Sequence, residues 1–368
     1  MMRRIRVGLK DRSYDILIGR GLLKSLGLFV KKLKLGQDAI VVTNARVFGL
    51  YGDAVKRSFK KSGITVRFEI VPGSEKAKSV GVMAGLLDRI SRYDKTKKIF
   101  LVALGGGVIG DLTGFVAAIY KRGIPYVQVP TTLLGQVDSS IGGKTAIDLS
   151  SAKNLAGAIY QPKMVLSDIA LLKSLPKREL QNGLAEVIKY GVIKDRELFS
   201  FLENNIEKIL KQDPVALEYI VSRSSEIKKT IVEKDEFDKK DVRAILNFGH
   251  TLGHAIEAAS KYSGRYTHGE AVAIGMLAAS DIAMRSGVVQ NISDMIRLRR
   301  LILSCGLPIK AVKVKPSDIW AAQLHDKKHS GLKNKFILPL AIGKIGIFQG
   351  ITEKILKLSI AEMVANRS

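Results

Sequence analysis

Three of the chain's five histidines fall within the 28 residues RAILNFGHTLGHAIEAASKYSGRYTHGE, which span positions 243–270. His250 and His254 are four residues apart, so a helix would place both side chains on one face. His268 follows a loop with glycine and tyrosine and precedes AVAIGMLAASDIAM, an apolar run that predicts a buried helix. Convergent neutral imidazoles suit a divalent ion such as zinc, which needs a third ligand and an open position for chemistry. The alternative is that these histidines are core residues whose ring nitrogens are satisfied.

Glu186 is the candidate third ligand. It lies among apolar residues in the helical segment GLAEVIKYG, where a carboxylate is costly unless it is paired or coordinating. Lys189 is three residues further on and shares its helical face, so a Glu186–Lys189 ion pair is the alternative. Cys305 is the only cysteine of the sequence, which excludes an internal disulfide framework and a thiolate metal site.

The composition is that of a folded protein with more than one domain. The chain has 368 residues, of which 46% are hydrophobic and 26% charged, and this length exceeds a single typical core. No apolar run approaches the roughly 20 residues of a membrane span, and the N-terminal residues alternate like a strand. We therefore expect a cytoplasmic protein that does not associate with membranes.

A net charge of +26 would permit nucleic-acid binding. The basic residues are nevertheless spread along the whole chain, aromatic residues make up only 6%, and no nucleic-acid motif is present. We expect no nucleic-acid partner and interpret the charge as a basic surface around a site for anionic substrates.

The first half of the chain alternates between strands and helices. A hairpin is predicted over residues 3–19, and three later strands separated by helices predict a parallel sheet with crossover connections. Gly105, Gly107 and Gly110 form G-x-G-x-x-G directly after the strand IFLVAL, a context in which backbone N–H groups can approach a pyrophosphate. A tight turn with close helix packing is the other interpretation. Residues 120–162 are rich in small polar residues and glycine and are expected to form functional loops. From about residue 176 the pattern is helical, so domains are predicted at 1–175 and 176–368.

Several motifs together resemble the 3-dehydroquinate synthase family over nearly the whole chain. They are ExxK in SEKAKS, GGGVIGDLTGF, VPTTLLGQVDSSIGGKTAID, KNLAGAIYQP, GLAEVIKYG, LNFGHTLGHAIE, HGEAVAIGM and DKK. The resemblance implies an α/β N-terminal domain with a Rossmann-like parallel sheet that binds NAD, an all-α C-terminal domain, and an active site in the cleft between them. It also implies a homodimer that acts on a small phosphorylated sugar acid.

The resemblance assigns a role to each matching position. It implies a zinc or cobalt ion held by Glu186, His250 and His268, with His254 as a nearby proton-transfer or substrate contact. The positions implied for NAD are Asn44, Glu75, Lys78, Gly105, Gly106, Gly107, Val108, Asp111, Thr131, Thr132, Leu171 and Ser174, together with Lys144 and Lys153. The positions implied for substrate are Arg122, Asp138, Lys144, Lys153, Asn154, Lys189, Lys228, Arg243, Asn247, His254 and one of Lys327 and Lys328.

The sequence departs from the family pattern in two places. Ser74 stands where the family usually has glycine, and EKDEFDKKDVR is one residue longer than expected before Arg243. Two other enzymes are considered as alternatives. They are a metal-dependent polyol dehydrogenase of the glycerol dehydrogenase type and another sugar phosphate cyclase.

Overall fold

The computed structural model describes residues 2–94, 97–150, 152–261, 263–330 and 335–365, without the side chains of 325–330. It divides into two compact units. The first extends to Pro176 and also includes Pro214–Phe237, and the second comprises Lys177–Asp213 and the described residues from Asp238 onward. The first junction lies beside the predicted boundary at 175, whereas Pro214–Phe237 lies within the predicted second domain, 176–368. Those residues contribute their buried helix face to the first unit instead.

Eleven β-strands are found among the described residues. In chain order they are β1 (Arg3–Val7), β2 (Tyr14–Gly19), β3 (Asp38–Thr43), β4 (Thr65–Ile70), β5 (Ile99–Gly105), β6 (Tyr126–Pro130), β7 (Lys144–Ile147), β8 (Ala156–Ile159), β9 (Met164–Asp168), β10 (Phe336–Ala341) and β11 (Lys344–Phe348). Seven of them form one sheet in the order β1-β2-β9-β6-β5-β3-β4. β1 is antiparallel to β2, and the other neighbours are parallel.

The α-helices of the described chain connect and cover these strands. In chain order they are α1 (Leu26–Lys32), α2 (Ala45–Lys61), α3 (Val80–Tyr93), α4 (Gly107–Ile119), α5 (Lys177–Ile193), α6 (Arg196–Leu210), α7 (Pro214–Lys234), α8 (His250–Ala259), α9 (His268–Arg285), α10 (Ile292–Ser304), α11 (Pro316–Ser330) and α12 (Glu353–Glu362). None of the described helices is both long enough and apolar enough to cross a bilayer.

The large sheet of the first unit is covered on both faces. Successive residues of a strand point to opposite faces, and Val41 of β3 shares a core with Phe59 of α2. Its neighbour Val42 shares the other core with Leu86 of α3. The antiparallel pair β1–β2 confirms the predicted hairpin, and the parallel neighbours β3, β4, β5 and β6 confirm the predicted parallel sheet. Residues 120–162, expected to be loops, also contain β6 and the antiparallel pair β7–β8.

The second unit is built from helices and one two-stranded sheet. Helices α8 and α9 approach closely because glycines line their contact: a Cβ on Gly275 would lie 2.0 Å from the carbonyl oxygen of Gly249. β10 and β11 pair in antiparallel fashion. The second unit is therefore not all-α, in contrast to the expectation. The apolar run FILPLA forms the first strand, and Gly343, at φ +83°, permits the turn to the second.

Candidate functional site

Three potential metal ligands converge within the second unit. Glu186 lies in α5 and is fully buried, while His250 and His268 are the first residues of α8 and α9. The Nε2 atoms of both histidines lie 3.5 Å from the same carboxylate oxygen, Glu186 Oε1. A tetrahedral ion with bonds of about 2.1 Å separates its ligand atoms by about 3.4 Å. The donor set and its spacing therefore fit a zinc-type ion.

The other ring nitrogen of each histidine faces an oxygen acceptor. His250 Nδ1 lies 3.2 Å from the carbonyl oxygen of Phe248, and His268 Nδ1 lies 3.5 Å from Glu257 Oε2. A proton on Nδ1 in both rings leaves the Nε2 lone pairs directed at Glu186. Metal-binding histidines are commonly oriented by such second contacts. The arrangement thus favours the tautomer that a metal requires.

The two histidines respond differently to this environment. Burial, and then the charge of Lys189, lower the pKa of His250 well below its ordinary value. Burial also acts to lower the pKa of His268, but hydrogen bonds and attraction to Glu186 and Glu257 outweigh it and raise that pKa to about 10. An ion bound by His268 would compete with a proton for the ring between these two carboxylates.

Lys189 forms the ion pair that was the alternative interpretation of Glu186. Its Nζ contacts Glu186 Oε2, and the two side chains are 2% and 0% exposed. The pair does not exclude a metal role, because the other carboxylate oxygen, Oε1, is the one that faces the histidines. One carboxylate can satisfy both contacts.

His254 and Glu257 extend the cluster toward solvent. The exposed His254 ring lies 5.4 Å from the His250 ring and 6.0 Å from the His268 ring, measured between centroids. His254, Glu257 and His268 form a second group whose ligand atoms lie within 4.8 Å of one another. Sequence reasoning did not single out Glu257, although its position three residues after His254 on a helix was a usable signal.

Two more of the expected substrate contacts in this unit lie in the segment just before α8. Arg243 is buried and Asn247 is exposed, and both lie in the short 3-10 segment Val242–Asn247. Lys327 and Lys328 belong to α11, but their side chains fall outside the described part of the chain.

The expected cofactor contacts gather at one edge of the large sheet in the first unit. Asn44 follows β3, Gly106 follows β5, Thr131 follows β6, and the Leu171–Ser174 turn follows β9. The sheet order places β4 on one side of β3 and β5 on the other, so the chain reverses direction between β3 and β5. In open parallel sheets, ligands bind at the carboxyl ends of strands at such a reversal. This edge is therefore the nucleotide-site candidate.

The glycine loop at this edge packs closely against neighbouring side chains. A Cβ on Gly106 would lie 3.0 Å from Thr132 Cγ2, and one on Gly107 would lie 2.9 Å from Ser139 Oγ. Helix α4 begins at Gly107, so its first N–H groups have no partner within the helix. Such a helix start attracts phosphate groups.

A compact polar cluster flanks the glycine loop. Lys78 Nζ lies 2.8 Å from Asp111 and 3.7 Å from Glu75, and it donates a hydrogen bond to Asn154. Lys153 lies 4.0 Å from Glu75. Burial raises the pKa of Asp111 to about 6, against the opposing charge of Lys78. Five of the residues expected to bind cofactor or substrate are thereby brought together.

Two further expected substrate residues meet elsewhere in the first unit. Lys228 of α7 donates to the side chain and the carbonyl oxygen of Asp138, each at 2.7 Å. Arg122, at φ +63°, and Lys144, at the start of β7, are exposed. The placement of α7 in this unit is what joins Lys228 to Asp138.

Comparison with known proteins decides the family. A model described as 3-dehydroquinate synthase N-terminal matches residues 68–182, and one described as 3-dehydroquinate synthase C-terminal matches residues 183–329. The 3-dehydroquinate synthase of Desulforamulus reducens is 45% identical over 353 residues, which are 96% of this chain and 98% of that protein. The chain belongs to the 3-dehydroquinate synthase family. The member from a Thermoanaerobacter species is 44% identical over 96% of this chain and 99% of its own length.

Solved structures agree with membership of the 3-dehydroquinate synthase family. A 2-epi-5-epi-valiolone synthase from Streptomyces hygroscopicus subsp. jinggangensis, with NAD+ and Zn2+ bound, has a TM-score of 0.87 at 26% identity, covering 97% of this chain and 98% of its own. A 2-deoxy-scyllo-inosose synthase complexed with carbaglucose-6-phosphate, NAD+ and Co2+ has a TM-score of 0.89 at 27% identity, covering 98% and 100%. A glycerol dehydrogenase from Schizosaccharomyces pombe shares the fold alone, with a TM-score of 0.67 at 17% identity over 95% and 88%. The predicted family resemblance is confirmed, and so is the predicted fold class of an α/β N-terminal domain followed by a mainly helical one.

Proposed function

We propose that this chain is an NAD- and metal-dependent lyase that converts 3-deoxy-D-arabino-heptulosonate 7-phosphate to 3-dehydroquinate and phosphate. The observation that carries the proposal is the convergence of Glu186, His250 and His268, whose donor atoms have the spacing of a zinc-type site. This convergence occurs in a chain 45% identical to a 3-dehydroquinate synthase.

The residues of the two candidate sites fit the two cofactors. Glu186, His250 and His268 would hold the zinc or cobalt ion, and the edge formed by Asn44 and the Gly105–Val108 loop would hold NAD. When bound, the ion supplies Lewis acidity to a substrate hydroxyl, and NAD+ supplies a hydride acceptor that is regenerated in each turnover. The protein's own contribution is to bind, orient and exchange protons with the substrate.

The expected substrate residues suit a substrate that carries both phosphate and carboxylate. Besides one of Lys327 and Lys328, six of them are cations, and cations bind such anions through charge-assisted hydrogen bonds. They are Arg122, Lys144, Lys153, Lys189, Lys228 and Arg243. Arg243 is 4% exposed, and a guanidinium can bind a carboxylate in bidentate fashion. His254 is exposed beside the metal candidates, and an imidazole can relay protons near neutral pH.

Two other enzyme classes make different predictions. A polyol dehydrogenase would accumulate NADH, but the glycerol dehydrogenase comparison supports only a common fold. Cyclases acting on sedoheptulose 7-phosphate or glucose 6-phosphate use sugars that lack the carboxylate. The higher identity to 3-dehydroquinate synthases favours the heptulosonate phosphate.

The decisive experiment measures phosphate release from the heptulosonate phosphate, with and without NAD+ and Zn2+. We expect release that requires both cofactors, without a lasting absorbance change at 340 nm, and little release from the two sugar phosphates. EDTA should abolish the activity, and Zn2+ or Co2+ should restore it. Full activity in thoroughly metal-free protein would reject the metal role, and net NADH formation would indicate a dehydrogenase. We further propose that the enzyme acts in the cytoplasm as a homodimer without a nucleic-acid partner.

A further inference from the structure

One face of helix α5 holds the start of helix α9. Arg178, Asn182 and Glu186 follow one another at intervals of four residues, so their side chains lie in a row on that helix. Each of the three contacts the first turn of α9 or the loop before it. The first residue of α9 is His268, which makes this row the frame on which one candidate metal ligand is held.

Asn182 fixes the backbone next to His268. Its Oδ1 accepts a hydrogen bond of 2.7 Å from the N–H of Gly269, and the side chain is buried. A Cβ on Gly269 would lie 2.1 Å from the carbonyl oxygen of Asn182, so α5 and α9 touch backbone to backbone here. The Nδ2 group of Asn182 donates to Glu179 at 3.2 Å, which sets the direction of the amide.

Arg178 fixes the loop that leads into α9. Its guanidinium donates two bonds to the carboxylate of Glu270, at 2.8 and 2.7 Å, and a third to the carbonyl oxygen of Arg265 at 2.6 Å. Glu270 also accepts from the N–H of Thr267 at 2.7 Å and completes a capping box at the start of α9. A bidentate guanidinium–carboxylate pair constrains geometry more than a single contact does.

We propose that Arg178 and Asn182 are positioning residues that hold His268 against Glu186 and thereby set the metal affinity. Their hydrogen bonds described above go to the first turn of α9, the loop before it and Glu179, so they act on His268 through the backbone of α9. This inference rests on the metal role in the proposed function. Loss of residues that orient metal ligands typically weakens metal binding by about 10- to 100-fold.

The test measures the dissociation constant for Zn2+ by competition with a chromophoric chelator, using the full-length protein. Asn182→Ala is compared with Gln181→Ala, a matched control. Gln181 is the next residue of α5 and donates to the carbonyl oxygen of Cys305 at 2.9 Å, away from α9. Arg178→Ala is the second variant, and because this side chain is 50% exposed it should fold even if Asn182→Ala does not. The visible spectrum of the Co2+ form reports the ligand geometry, and thermal unfolding of the metal-free protein reports stability.

We expect Asn182→Ala to raise the zinc dissociation constant by about 10- to 100-fold and Arg178→Ala by about 10-fold, both with an altered Co2+ spectrum. Gln181→Ala should lower the melting temperature but leave the constant within about threefold of wild type. Wild-type affinity in both test variants, or an equal loss in the control, would overturn the positioning role while leaving the proposed function intact. Wild-type protein that binds no stoichiometric ion would overturn the metal role itself.

Discussion

Glu186 and Lys189 form a buried pair. Removal of either partner should lower the free energy of unfolding strongly, and removal of both should restore most of it. Both side chains are almost fully buried, at 0% and 2% exposure. Removing one member of such a pair leaves an uncompensated charge and costs about 3–5 kcal/mol, whereas replacing both by neutral residues costs much less. We therefore expect Glu186→Gln and Lys189→Met each to lower the free energy of unfolding by about 3–5 kcal/mol in metal-free protein. The double variant should recover most of that loss.

Urea unfolding of EDTA-treated protein, followed by fluorescence, measures this cycle. The sequence has one tryptophan, Trp320 in α11, so the signal comes from the second unit. Lys310→Met is the control, because Lys310 pairs with Glu362 at 3.1 Å near the surface and should cost less than about 1 kcal/mol. A coupling energy below about 1 kcal/mol between Glu186 and Lys189 would refute the buried-pair reasoning.

The same variants separate the ion pair from the metal role. Glu186→Gln should weaken zinc binding by more than about 100-fold, because it removes a charged ligand atom. About 100-fold is the upper end for loss of a residue that only orients a ligand. Lys189→Met should retain zinc binding, since Lys189 contacts Glu186 Oε2 whereas both histidines contact Oε1. Equal zinc affinity in Glu186→Gln and wild-type protein would show that Glu186 serves only the ion pair.

Three further predictions address other parts of the two units. Glu257→Gln should weaken zinc binding by about 10-fold because it removes the carboxylate that faces His268 Nδ1. Isothermal titration of the wild-type protein should find one ion per chain, because the group Glu186–His250–His268 and the group His254–Glu257–His268 share His268. Two ions per wild-type chain would contradict this. Asp111 has a folded pKa of about 6, above its unfolded value, so it favours folding at low pH and this contribution is lost as the pH rises through 6. The difference in the free energy of unfolding between wild type and Asp111→Asn, measured by urea titration, should therefore fall by at most about 3 kcal/mol from pH 4 to pH 7. A difference that stays constant over this range would contradict the raised pKa of Asp111. Arg243→Ala should lower kcat/KM for the heptulosonate phosphate by about 100-fold with an unchanged far-ultraviolet circular dichroism spectrum, whereas wild-type kinetics would remove Arg243 from the substrate site.

The sequence predicted those parts of the fold that depend on local patterns. Alternating residues predicted the first hairpin, and the strand before the glycine loop predicted the turn from β5 into α4. The unit to which α7 belongs could not be predicted from local patterns. Its pattern is helical like its neighbours, and only its buried side, with Ser224 and Lys228, shows that it packs within the first unit.

The candidate metal centre was predictable to the extent that its residue types are unusual in their surroundings. Glu186 was conspicuous as a carboxylate in an apolar helix, and the histidines were conspicuous by their number in one segment. The spacing of His250 and His254 favoured those two as partners, but the structure brings His250 and His268 to Glu186, in agreement with the family resemblance. Asn182 and Arg178 could not be found from spacing alone, because their importance depends on where α9 begins.

Metal affinity and the stability of the second unit should be linked. The candidate ligands come from α5, α8 and α9, and the contacts of Glu257 and Asn182 that orient His268 lie in the same unit. An unfolded chain offers no preformed arrangement of Glu186 with two histidines some 64 and 82 positions later (250 − 186 and 268 − 186), so an ion binds the folded unit preferentially. At a free concentration about 1,000 times its dissociation constant, an ion adds about 4 kcal/mol to the free energy of unfolding. Zinc should therefore raise the urea concentration at the midpoint of unfolding, followed by Trp320 fluorescence, in wild-type protein. At the same zinc concentration, the increase should be smaller in the Asn182→Ala protein.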